Sequence, residues 1–125
     1  MNPAPSTYPR ALSEREAEVL TFLLSLDDPR LAPLREQAPS AVVTGMCSCG
    51  CASIYLEVDR DRYPPVSLCS PVVSTTTREA DTNQTFGLLV LLDEGWLSQL
   101  EIWWIDEPPV EFPDVTMFAP PRLKC

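Results

Sequence analysis

Residues 85–105 read Thr85-Phe86-Gly87-Leu88-Leu89-Val90-Leu91-Leu92-Asp93-Glu94-Gly95-Trp96-Leu97-Ser98-Gln99-Leu100-Glu101-Ile102-Trp103-Trp104-Ile105, and they decide the fold. Thr85 to Leu92 is a nearly continuous apolar run. Asp93-Glu94-Gly95 is a turn signal, and Trp96 to Ile105 returns as a second strand. On that returning strand Leu100, Ile102 and Trp104 share one face, while Glu101, Trp103 and Ile105 share the other. A strand with two apolar faces belongs at the centre of a sheet or beneath a partner. An isologous contact over the spare face would give a homodimer.

Upstream of this hairpin the strand pattern continues. Val66 to Ser74 reads as a strand that Pro71 confines to an edge or a bulge. Residues 75–84 read as a polar loop. Asp59 to Arg62 with Pro64-Pro65 form a turn. Ile54, Leu56 and Val58 alternate with Tyr55, Glu57 and Asp59, a strand with one wet face. Ala41 to Thr44 is β-rich.

The N-terminal part is helical. Ser13 and Glu16 make a capping box, followed by a helix over about residues 14–26. Val19, Leu23 and Leu26 form its stripe, and Glu14, Glu16 and Glu18 sit where the helix dipole favours acids. Asp27-Asp28-Pro29 stops it. A second helical turn is expected from Pro33 to Ala38. Downstream, Pro108-Pro109, Pro113 and Pro120-Pro121 read as a polyproline-like wrap over the sheet. The expected fold is α+β, with an N-terminal helix or two packed on an antiparallel sheet of four to five strands. Residues 1–12 are expected to be a mobile lead-in, and residues 13–125 a single domain.

Composition supports one core and removes whole classes of chemistry. The 125 residues are 45% hydrophobic and 22% charged, the balance of a globular chain. Nine basic residues oppose eighteen acids, for a net charge of −9. The imbalance is concentrated after residue 78, where only Arg122 and Lys124 are basic. Such a surface repels phosphate backbones and anionic lipid heads, so neither nucleic acid nor membrane is an expected partner. A basic protein is the natural complement. There is no histidine, which excludes Ser-His-Asp and Cys-His catalysis and histidine-metal sites. The first residues carry neither a basic n-region nor an apolar h-region, so a cytoplasmic address is expected.

The most specific element is Cys47-Ser48-Cys49-Gly50-Cys51; Cys69 and Cys125 complete the five cysteines. In an extended strand its three thiols would share one face, spaced roughly 6.5 Å apart at Cα, in phase with Ser53, Tyr55 and Glu57. Gly50 could host a bulge that swings one thiol out of register. Three readings stay open. Cys47, Cys49, Cys51 and Cys69 would together supply four thiolates for one zinc or copper ion, although structural zinc sites usually space their cysteines more widely. A reactive thiol is the second reading, but no basic residue lies between Arg35 and Arg60 to activate it. The third is purely structural, with cysteine acting as a small buried hydrophobe. A disulfide between strands runs against the expected cytoplasmic address.

A second candidate site lies in the C-terminal stretch. Trp103, Asp106, Glu107, Glu111 and Phe112 mix aromatic anchors with acids, as a docking surface for a cationic partner would. The carboxylate pairs Asp106/Glu107 and Asp59/Asp61 are weak acid/base candidates.

Leu12-Ser13-Glu14-Arg15-Glu16, Cys47-Ser48-Cys49-Gly50-Cys51, Leu100-Glu101-Ile102 and Glu107-Pro108-Pro109-Val110-Glu111-Phe112-Pro113 occur in that order. In this order they resemble a family of small, functionally uncharacterised actinobacterial proteins. The resemblance spans most of the chain and implies no functional residues. In size and charge alone the chain is also similar to immunity proteins that neutralise secreted toxins. The leading expectation is therefore a non-enzymatic acidic interaction protein, with a small thiolate metal-binding protein as the alternative.

Overall fold

The capping box forms as the sequence predicts. In the computed structural model, which describes residues 8–78 and 85–125, the Glu16 N–H donates to Ser13 Oγ at 3.2 Å and the Ser13 N–H donates to Glu16 Oε1 at 2.8 Å. Helix α1 (Glu14–Leu23) follows and buries Val19, Leu20 and Leu23. It ends before residue 26. The Ser25 hydroxyl takes the Phe22 carbonyl, and Arg35 takes those of Leu24 and Leu26. A 3₁₀ turn over Pro29–Leu31 leads into α2 (Ala32–Gln37).

Among the described residues seven strands form one antiparallel sheet: β1 (Arg10–Ala11), β2 (Val42–Met46), β3 (Ile54–Glu57), β4 (Val73–Thr76), β5 (Phe86–Asp93), β6 (Trp96–Trp104) and β7 (Arg122–Leu123). Their order is β1-β2-β3-β6-β5-β4-β7, so β6 is the central strand. β6 buries Leu97, Leu100 and Ile102, while Gln99, Glu101 and Trp103 stay half-buried. The turn joining β5 to β6 has Glu94 at φ 52° and Gly95 at φ 95°. Left-handed geometry at both positions matches the right-handed twist of the flanking strands.

Both helices cover one face of the sheet. Phe86, Leu88 and Val90 from β5 lie opposite Trp104, Ile102 and Leu100 from β6, and all but Trp104 are buried. Gln37 pins α2 to the central hairpin. Its amide donates to the carbonyls of Pro64 and Gly95, and its Oε1 accepts from the Leu97 N–H. A buried side-chain amide is stable only when bonded in this way.

The sheet is larger than the four or five strands expected. Arg10 and Ala11, read as part of the lead-in, pair with Val43 and Val42, so the folded unit begins before residue 13. The rest of that lead-in, residues 1–7, lies outside the described residues. At the other edge Arg122 and Leu123 pair with Ser74 and Val73, which turns the end of the proline-rich wrap into a strand. The strand expected over residues 66–74 forms instead at Val73–Thr76. Pro71 keeps the ladder from starting earlier. Thr75 and Thr77, read as loop, are buried against the Ala119 carbonyl and the Phe86 N–H. Residues 79–84 of that loop lie outside the described residues.

Candidate metal centre

The three clustered cysteines sit at the tip of the β2–β3 hairpin. The last ladder pair is Met46 with Ile54, and the Cys47 N–H donating to the Ser53 carbonyl at 3.0 Å closes the loop. Within it the Gly50 N–H donates to the Cys47 carbonyl at 3.2 Å. Gly50 has φ 91° and no atom within 4 Å of where a Cβ would be. Its requirement for glycine is thus conformational rather than steric. The reading of Cys47–Cys51 as an extended strand is corrected here: the strand stops at Met46, and a turn takes its place.

That turn changes the chemistry. A strand would hold the thiols well apart, whereas here the three Sγ atoms all lie within 4.8 Å of one another. Cys47 and Cys49 are in hydrogen-bond contact at 2.8 Å, and the Cys51 N–H donates to Cys49 Sγ at 3.4 Å. A zinc–sulfur bond of about 2.3 Å puts tetrahedral sulfurs about 3.8 Å apart, and trigonal ones about 4.0 Å. Cys47, Cys49 and Cys51 therefore lie close enough to hold a metal ion, with Cys47 and Cys49 moving apart to accept it. The backbone N–H on Cys49 is the kind of outer contact that orients a ligand. Accessibility is graded: Cys49 is exposed, Cys47 half-buried and Cys51 buried.

Ser53 fastens this loop to the central strand. The β3–β6 ladder holds only Ile54 with Leu100 and Tyr55 with Gln99. Beyond it Ser53 Oγ accepts from the Ile102 N–H at 2.9 Å and donates to the Ile102 carbonyl at 3.3 Å. The loop and β6 then part around a cavity of about 120 Å³, lined by the three cysteines together with Tyr55, Glu101 and Trp104 among others. No arginine or lysine lines it. The surroundings therefore favour a cation and offer nothing to neutralise thiolates in its place.

Cys69 does not belong to this group. It is disulfide-bonded to Cys125, with Cα atoms 5.6 Å apart. The expectation that Cys69 completes a four-thiolate set is corrected by topology: β7 on the β4 edge carries Cys125 to Cys69, while β6 and β5 separate β4 from the β2–β3 hairpin.

The proposed docking residues are also divided. Phe112 is buried in the core, and its carbonyl accepts from Arg15. Trp103 lies so close over Gly87 that a side chain there would collide with the indole. Only Asp106, Glu107 and Glu111 are exposed. Of the carboxylate pairs, Asp59 is committed to closing a turn through the Asp61 and Arg62 N–H groups. The perturbed acids lie elsewhere. Hydrogen bonds from Arg30 pull Asp28 down to about 2. Burial opposes the charge on Glu16, but Arg10 and the Ser13 N–H outweigh it and hold that carboxyl below its ordinary range.

Sequence reasoning put Ser53 and Tyr55 on the side of the cysteines, where both line the cavity, but missed Glu101. Strand alternation does place Glu101 opposite the core face. Its nearness to the cysteines depends on β3 pairing with β6, across an intervening stretch that carries no such signal. Comparison with protein-family models, with curated proteins and with solved structures finds no match. Among the described residues no helix is long and apolar enough to cross a membrane.

Proposed function

We propose that this protein binds one thiophilic cation, of the zinc or copper(I) class, through Cys47, Cys49 and Cys51. The observation that carries the reading is the convergence of three sulfurs within 4.8 Å on a loop that no basic residue approaches in the cavity. Soft thiolates are the donors such ions prefer. The test is native mass spectrometry of protein purified anaerobically, with and without a chelator. One chelator-sensitive metal ion per chain, lost in Cys49→Ser, supports the proposal. A bare mass after incubation with zinc or copper(I) sinks it.

A second reading, docking of a basic protein, rests on residues 105–111. Ile105 and Val110 are 67% and 77% exposed, and acids flank them. Capture of a basic partner that weakens steeply with salt would support it. Capture insensitive to Asp106→Asn with Glu107→Gln would count against it.

A further inference from the structure

Building on the trithiolate reading, we infer that Glu101 supplies the fourth donor and makes this a divalent, zinc-class site rather than a copper(I) site. Zinc in a closed site takes four ligands in a tetrahedron, and three cysteines leave one position open. Copper(I) is satisfied by soft donors and gains little from a carboxylate. Among the described residues Glu101 is the one acidic residue lining the cavity that the thiols share; its carboxylate stands outside the cluster of the three Sγ atoms and would close on the ion by a side-chain rotation.

The position of Glu101 in the sheet supports this role. Its neighbour across β5 is Leu89, which offers it no polar partner. On its other side the β3 ladder has ended, and the cysteine loop occupies that space. Glu101 is half-buried, and no ion pair or hydrogen bond engages its carboxylate among the described residues. A divalent ion held by the thiols would give that carboxylate a partner, since zinc also takes carboxylate oxygens. Tyr55 and Trp104 line the same cavity and would shield the complex from water.

The experiment measures zinc and copper(I) affinity by competition with chromophoric chelators, for the wild type and two variants of the full chain. Glu101→Gln keeps the shape and removes the donor. Glu57→Gln removes the same charge from an exposed position on β3 that does not line the cavity. The expected result is a loss of about tenfold or more in zinc affinity for Glu101→Gln, with copper(I) affinity unchanged and Glu57→Gln like wild type. In the cobalt-substituted protein, Glu101→Gln should shift the visible d–d bands while the sulfur-to-cobalt charge-transfer band remains. Unchanged zinc affinity in Glu101→Gln overturns the role of Glu101 and leaves the trithiolate reading standing. Equal losses in Glu57→Gln, or a parallel loss of copper(I) binding, also overturn it, because field or fold would then be the cause. Failure of the wild type to bind either metal overturns both readings.

Discussion

The five cysteines fall into two groups governed by different physics. Cys47, Cys49 and Cys51 converge because one hairpin turn folds them together, so their proximity is set by a few backbone torsions. Cys69 and Cys125 are 56 residues apart, and they meet only because β7 adds to the edge of β4. The first group is a set of free thiols at a sheet end. The second is a covalent clip on a sheet edge. Local geometry thus gathers the thiols of the proposed site, and long-range topology makes a staple.

The largest effect should come from breaking the staple. Closing a loop of 56 residues removes chain entropy from the unfolded state worth roughly 4 kcal/mol. Cys125→Ser should lower unfolding stability by about 3 to 4 kcal/mol in urea titrations, and a reductant should lower the wild type by a similar amount. Zinc affinity should stay within about twofold, since the two groups share no strand. Alkylation of the unfolded, unreduced protein should label three thiols. Five labelled thiols would show that the pair is not joined.

The next effect separates the three free thiols from one another. Cys49→Ser should weaken metal binding by about a hundredfold or more, while metal-free stability changes by less than about 0.5 kcal/mol, because the side chain is exposed. Cys51→Ser should weaken binding comparably and also destabilise the metal-free fold by about 1 kcal/mol or more, because its hydroxyl would be buried. Equal stability losses in the two variants would contradict the graded burial.

The contrast between the groups is also a contrast in what the sequence discloses. The β5–β6 hairpin, its turn and the Ser13/Glu16 cap are local patterns, and all three stand where periodicity and turn chemistry put them. The Cys47–Cys51 cluster was visible for the same reason, although reading it as a strand overlooked what Gly50 at positive φ does. The edge strands were not legible. Two residues such as Arg10-Ala11 or Arg122-Leu123 carry no periodicity, and they become strands only when a partner edge is present. The Cys69–Cys125 pair depends on β7 and was hidden with it. Glu101 was assigned to the correct face, but its cysteine neighbours come from the β2–β3 loop, far upstream in the chain.

A smaller effect tests whether the turn itself, and not merely its cysteines, builds the site. Gly50→Ala meets no atom, so any cost is backbone strain at φ 91°, on the order of 1 kcal/mol. If the metal requires this turn, zinc affinity should fall about fivefold while the alkylation pattern of Cys69 and Cys125 is unchanged. Unaltered affinity would mean that the loop binds in another conformation.

The smallest effect is one of pH, and it separates the site from the scaffold behind it. Thiols bind metals only as thiolates, so acid competes with the ion directly and releases it first. The scaffold has its own acid-sensitive element in Glu16, buried at the start of α1 and paired with Arg10 at 2.8 Å. Its carboxyl titrates below the ordinary 4.5 when folded. A depressed folded pKa means that the stabilisation is fully present above the unfolded value and is lost as pH falls through the folded one. Metal release should therefore be complete at a pH where α1 is still capped. Loss of the cap should follow below about pH 4.5 and cost roughly 1 kcal/mol or less. Glu16→Gln should flatten that lower step in a stability–pH profile and leave the metal-release curve in place. If both curves moved together, the hairpin tip and the helix start would be one cooperative unit, and the separation of site from scaffold would fail.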